Sequence, residues 1–404
     1  MTGKLVGGFD SHILRHMQVK PLLVLLLVAT LLSTLFLPAL IYFTLYRDIS
    51  AMATNDFNQY MASARMLREG TISQIYDPQV FSQYRTKIVY PYKPSKLIFR
   101  SLPYVSFFYL PFSFFNYQNA YASYLVFSFA LLVLNYLILI RFFPHTFKIK
   151  YGFLLILSFL PTIFTLIQGQ SSILMLTIIL LGFYGIAKKR FFISGLVLSL
   201  LLFKIHIFVT ISLLLIVYLK KRGFILGIST GSLIILAFNA LLTSPKTLLN
   251  YPLYIFQTET AGFGTHLSQY LSLYSIFNHL AVTIILFLVT VFIIYKLPPS
   301  KNIFSSLSAI SILALLFAYH TPPYELTVLV FSLFYFLNHY FSKKSLYSLI
   351  FSVLIFIVPM SLINIVNNRL VTLFLILIGY YLLIKPILPV QNPKLFLPPP
   401  SSKS

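Results

Sequence analysis

The chain has 404 residues, of which 58% are apolar and only 9% charged, with mean hydropathy +0.88 and a formal net charge of +23. Soluble domains carry about 25% charged residues, so a soluble fold is excluded. With no cysteine, disulfides, thiolate nucleophiles and Cys-ligated zinc are excluded too. The basic residues stand in short clusters between apolar runs, which reads as topology signals and contacts to anionic lipid heads rather than as a nucleic-acid surface.

Apolar runs of about 17 to 25 residues recur along the chain, the pattern of an all-α polytopic membrane protein. The first, Pro21 to Tyr46, is too long for a signal-peptide core and is read as an uncleaved span after a cytoplasmic tail, 1–20. Placing every basic cluster inside predicts spans near 119–141, 151–168, 171–187, 223–243, 270–296, 303–319, 324–340, 346–363 and 369–385, in one membrane domain 21–385 followed by a tail, 386–404. Residues 103–115 are apolar but short, with Pro103 and Pro111, and are expected to form a re-entrant or interfacial helix. Residues 191–219 lie between two basic clusters. They are either one long helix or, as we favour, a hairpin of two short legs with Lys204-Ile205-His206 at its tip. Gly223, Gly227 and Gly231 repeat every four residues and predict a close helix contact. Gly262 and Gly264 suggest mobility in the loop 244–269.

Four of the seven acidic residues fall in the polar stretch 47–101. There, Phe57, Tyr60, Met61, Ala64 and Leu67 have helical spacing, with Thr54 or Asn55 as a cap and Gly70 as a stop. Asp56 and Tyr60 share a face. Asp56 can be a catalytic carboxylate or simply a first-turn charge complementing the helix dipole. Asp77, before Pro78, reads as a turn former, and Glu69 as a helix end in solvent. Under this topology Asp48, Asp56, Glu69, Asp77, Glu259 and Glu325 all lie on the outer side, and so do Gln170, His266 and His320.

Several elements then occur in a telling order: Asp56 to Tyr60 after the first span, Gly70 to Tyr76, Arg100-Ser101-Leu102-Pro103-Tyr104 through Pro111, Gly169-Gln170-Ser171-Ser172-Ile173-Leu174, Gly195 through Lys204, and Thr321-Pro322-Pro323-Tyr324. Together they resemble glycosyltransferase family 87, the polyprenol-phosphate-mannose-dependent α-1,2-mannosyltransferases. The resemblance implies a GT-C-type fold of about 10–12 transmembrane helices. It departs from the family pattern at Ser172, at Ile205 after Lys204, at Thr321 and Tyr324, and at Leu326, where the family has a histidine.

The resemblance implies a hexosyl, mannosyl by preference, transferred with inversion from a polyprenyl-phosphate donor to a lipid or glycan hydroxyl. The reaction would take place at the outer face of a plasma membrane. Asp56 matches the family's catalytic base. Lys204, a lysine amid apolar residues, is the leading candidate for the donor phosphate, with snorkelling as its plain alternative. His206 and Arg100 are candidates beside it, whereas Arg65 and Arg68 read first as solvated charges. Tyr60, Gln170, His320 and Glu325 are candidates for holding substrate. No Asp-x-Asp pair is present, so no cofactor and no metal are expected. A transporter or flippase of lipid-linked glycans is the competing reading, but the two halves show no repeat.

Overall fold

The computed structural model describes residues 28, 30, 49–94, 98–148, 152–260, 272–277, 279–298, 300, 302–319, 321–357 and 368–384. The first predicted span apart from Val28 and Thr30, both tails, Gly262, Gly264, His266 and His320 lie outside these. The described residues form helices and no strand. In chain order the α-helices are α1 Ile49–Ala53, α2 Phe57–Arg68, α3 Pro78–Val89, α4 Ser106–Tyr109, α5 Tyr117–Phe142, α6 Gly152–Leu157, α7 Leu160–Gln168, α8 Ser172–Ala187 and α9 Phe191–Ser199. They continue with α10 Ile205–Leu219, α11 Arg222–Leu242, α12 Pro245–Thr260, α13 Leu273–Phe277, α14 Leu280–Lys296, α15 Ile303–Phe317, α16 Leu329–Lys343, α17 Leu346–Ile357 and α18 Asn368–Ile384.

Most predicted spans reappear within a few residues, and the exceptions have local causes. The predicted span 151–168 is two helices, because Pro161 sits in the first turn of α7 and restarts the chain there. The span 270–296 is broken before α14, where His279 is extended (φ −134°, ψ 110°). The segment 103–115 is a series of short turns, 3-10 at Pro103–Val105 and Leu110–Phe114 with α4 between. The expected loop 244–269 is helical as far as Thr260, with Pro252 inside α12.

The described residues fall into two compact units, one drawn from 1–99, 106–176 and 322–367, the other from 100–105, 177–321 and 368–404. In the first, α2 packs against α3, α4 and the Leu110–Phe114 turn, α7 packs against the 3-10 turn Pro323–Val328, and α16 packs on α17. Helix ends are set by specific groups. Gly70 (φ +75°) follows α2, Asp77 Oδ1 accepts the Gln79 and Val80 N–H groups at 2.9 and 3.1 Å to start α3, and Asn116 caps α5 through the Asn119 N–H. Asp77 is therefore a cap, in line with its reading as a turn former. Glu69 ends α2 at the surface, where it accepts the Tyr84 hydroxyl at 2.8 Å.

In the second unit α9 lies on α11 through glycine. A Cβ on Gly227 would stand 2.1 Å from the Phe192 carbonyl oxygen, one on Gly195 2.4 Å from that of Phe224, and one on Gly231 2.1 Å from Ser199 Oγ. These pairs rise together along both helices, so α9 and α11 are parallel. Helix α15 is the centre of this unit, buried from Phe304 to Phe317. The Thr210 hydroxyl of α10 donates to its Ala314 carbonyl at 3.1 Å.

Residues 191–219 are long and apolar enough to cross a membrane as one stretch, as are Tyr117–Phe142 and Arg222–Leu242. Their two ends nevertheless meet: the Lys221 ammonium lies 5.9 Å from the centre of the Phe191 ring, and a Cβ on Gly223 would lie 3.7 Å from Phe191 and Phe192. The segment is a hairpin. Its tip is the 3-10 turn Leu200–Lys204, and Lys204 leaves helical geometry (φ −120°, ψ 71°) before α10 begins. Tyr104 pins that tip. Its hydroxyl donates to the Leu200 carbonyl at 2.7 Å and accepts the Phe203 N–H at 2.8 Å. Its own N–H donates to Asn239 Oδ1 at 2.8 Å.

Gly227→Leu is expected to lower the apparent Tm of the purified protein in detergent, at a cost of about 1–3 kcal/mol from overpacking. Gly223→Ala, whose Cβ would make only ordinary contacts at 3.7 Å, should leave it nearly unchanged. Equal melting of Gly227→Leu and wild type, followed by light scattering, would contradict the glycine seam.

Candidate functional site

Asp56 stands at the N-cap of α2 and is half-buried, yet its side chain makes no capping bond. The predicted cap Asn55 does not cap either. Asn55 instead donates to the Ile167 carbonyl at 3.3 Å and accepts the Tyr117 hydroxyl at 2.7 Å. The Asp56 carboxylate is held from across the fold. Gln170 Nε2 donates to its Oδ2 at 2.5 Å, and Gln59 Nε2 reaches its Oδ1 at 3.4 Å. The Tyr60 hydroxyl donates to Gln170 Oε1 at 3.0 Å. Tyr60, Gln170 and Asp56 thus form one chain of hydrogen bonds, with Tyr60 and Gln170 each 2% exposed. Sequence reasoning singled out all three residues, and the fold joins them.

The end of α7 places Gln170. Gly169 takes a left-handed conformation (φ +64°), and its bare Cα faces Phe57: a Cβ would stand 2.4 Å from Phe57 Cβ. The exposed carbonyls of this turn are satisfied by tyrosines of α5. The Tyr121 hydroxyl lies 2.6 Å from both the Leu166 and Ile167 carbonyl oxygens and shares its one proton between them, and Tyr124 donates to that of Gln170. The Tyr60 ring stacks on Tyr109, with centroids 4.5 Å apart and planes 7° apart. Phe57 sits among Tyr109, Tyr117, Tyr121 and Tyr124. The carboxylate is therefore carried on a rigid aromatic bed.

One participant went unrecognised in the sequence. Arg85 of α3 is 2% exposed and donates through Nε to Asn58 Oδ1 at 2.9 Å. Asn58, two residues after Asp56, in turn donates to the Ala53 carbonyl at 3.3 Å. Burial pulls the guanidinium down to about 10, and the charges of Asp56 and Tyr117 act in the opposite sense. It therefore remains a cation at neutral pH, and the nearby Asp56 charge favours that cationic form. The signal was available: Phe81, Arg85, Ile88 and Val89 form the buried face of α3, so an arginine interrupts an apolar stripe at helical spacing.

Arg65 and Arg68 bind carbonyls rather than reaching solvent alone, Arg65 that of Phe115 at 3.2 Å and Arg68 that of Ser113. Burial, then the neighbouring Arg68, holds Arg65 below its ordinary value against the pull of Glu69. Glu325 belongs to the same unit as Asp56 and is fully buried on the turn packed against α7.

The remaining candidates belong to the second unit. Lys204 is 8% exposed at the hairpin tip. His206, half-buried, is the second residue of α10. The Arg100 carbonyl accepts the Tyr251 hydroxyl at 2.6 Å. Burial pushes Tyr254 up to about 12, with Arg100 pulling it down. Among the described residues no three His, Asp or Glu side chains gather as a metal-ligand set.

A family model described as glycosyltransferase family 87 matches residues 103–337, more than half of the chain. The match includes Gln170, Lys204, His206, His320 and Glu325 and begins after Asp56, Tyr60, Arg85 and Arg100. Comparison with curated proteins and with solved structures gave no match. A helical chain with membrane-length apolar segments, matched over this range, belongs to glycosyltransferase family 87 and is a membrane glycosyltransferase.

Proposed function

We propose that the protein transfers a hexosyl residue, mannosyl by preference, from a polyprenyl-phosphate donor to a hydroxyl of a lipid or glycan acceptor at the outer membrane face. Asp56 acts as general base. The observation that carries this reading is the Asp56 carboxylate itself, which makes no capping bond to its own helix and is instead oriented by Gln170 and Tyr60. A purely structural N-cap carboxylate would bond the first-turn N–H groups.

In the proposed step the acceptor oxygen attacks the anomeric carbon as its proton passes to Asp56. The bond from the anomeric carbon to the phosphate oxygen breaks, and its electron pair leaves with polyprenyl phosphate. Attack opposite the leaving group inverts the anomeric centre. Lys204 and His206 are proposed to bind the donor phosphate, with Arg100 as a further cation, since charge developing on a leaving phosphate calls for positioned donors. Glu325 and His320 are proposed to hold substrate. The reaction is proposed to need no metal.

Arg85 is proposed to keep Asp56 ionised, the form that accepts a proton. Its cation lowers the free energy of the carboxylate relative to the carboxylic acid. Without that cation Asp56 takes up its proton at a higher pH, and since the protonated form is inactive, activity is lost sooner as pH falls.

Three outcomes are expected with purified protein, a panel of polyprenyl-phosphate sugars, and released polyprenyl phosphate as the readout. Asp56→Asn, nearly isosteric, lowers transfer by about 10²–10⁴-fold while the variant melts like wild type; retained transfer would remove Asp56 as the base. Arg85→Met shifts the acidic limb of kcat/KM to higher pH; an unmoved limb would deny the pairing. EDTA leaves the rate unchanged, whereas inhibition reversed by added divalent cation would refute metal independence.

A further inference from the structure

A pocket of about 260 Å³ lies in the first unit between the C-terminal end of α3 and the start of α5. Ala53, Tyr90, Tyr92, Asn116, Tyr117 and Gln118 are among the residues that line it. Tyr90 is 81% exposed, Asn116 and Gln118 are exposed, and Tyr92 is half-buried. None of these described residues carries a charge.

We propose that this pocket is a subsite for one neutral sugar ring of the acceptor, an assignment that rests on the transferase reading above. Aromatic faces beside carboxamides suit a pyranose. The apolar face of the sugar lies on a ring, while an amide offers donor and acceptor together to neighbouring hydroxyls. Asn116 Oδ1 is already engaged by the Asn119 N–H at 2.9 Å, so Asn116 presents its NH₂ group, and Gln118 can present both ends.

The lining also argues against the donor's ends. An anionic phosphate selects Arg or Lys, and neither lines the pocket among the described residues. The volume falls below the range of about 300–1,000 Å³ typical of drug-sized ligand sites, which is small for a polyprenyl chain. Position links the pocket to the chemistry. Ala53 ends α1 three residues before Asp56, and the wall residue Tyr117 donates its hydroxyl to Asn55 Oδ1 at 2.7 Å and to the Met52 carbonyl at 2.9 Å. A sugar ring seated here lies against the same short turn that carries the base.

The test uses the full chain in lipid nanodiscs with methyl α-mannopyranoside and methyl α-glucopyranoside as separate probes, read by saturation-transfer difference NMR. At least one glycoside should give a signal that inorganic phosphate does not displace. Tyr90→Ala and Gln118→Ala, both at exposed positions that folding tolerates, should each reduce it at least fivefold. Tyr90→Phe should retain it, because the ring remains, and Asp56→Asn should retain it, because the pocket is intact. Absence of signal from wild type, displacement by phosphate, or an undiminished signal in Tyr90→Ala overturns the subsite. The two readings fail separately: an inactive Asp56→Asn beside a normally binding Tyr90→Ala removes the subsite alone, and an active Asp56→Asn beside a non-binding Tyr90→Ala removes the base alone.

Discussion

The amide of Gln170 on the carboxylate of Asp56 is the contact on which the first unit's polar architecture depends. It brings together two segments 114 residues apart in the chain, and it exists only because α7 stops where it does. Gly169 supplies the left-handed residue that turns the chain, and its missing side chain lets Phe57 close on the turn. A residue with a Cβ there would meet Phe57 and strain the backbone together, separating Gln170 from Asp56. The neutral donors matter as well. A half-buried carboxylate bound by amides is oriented without being neutralised, and the buried Arg85 nearby bonds Asn58 of the same helix.

Tyrosine does much of the work that charge does in soluble proteins. A broken helix inside a membrane protein frees backbone groups that water cannot reach. Here tyrosine hydroxyls meet them: Tyr121 and Tyr124 at the end of α7 and Tyr104 at the hairpin tip. Each brings an apolar ring with its hydroxyl, so a polar contact is made without a formal charge in the membrane region. This is how a chain with 28 tyrosines and seven acids sustains so many interrupted helices.

Hydropathy and basic clusters made the helical membrane fold and most span limits legible, because lipid imposes length and composition directly. Asp56, Tyr60 and Gln170 were legible as candidates, although spacing alone could not tell a capping aspartate from one held by a distant amide. That distinction needed Gly169 folded against Phe57. The breaks at Pro161 and His279 escaped a hydropathy reading, which averages over a window and passes across a single turn. Arg85 is not legible from local charge, and its position on the buried face of α3 becomes plain only when the stripe Phe81, Arg85, Ile88 is read as a helix.

The return of residues 191–219 on themselves has an electrostatic consequence. Lys188, Lys189 and Arg190 precede the first leg, and Lys220, Lys221 and Arg222 follow the second. Because Lys221 comes back to Phe191, two triplets some thirty residues apart become one patch of six positive charges. Each such charge is worth about 1 kcal/mol against an anionic leaflet. The buried apex, Lys204 with it, therefore stands at the far end of two legs rooted beside a single basic patch.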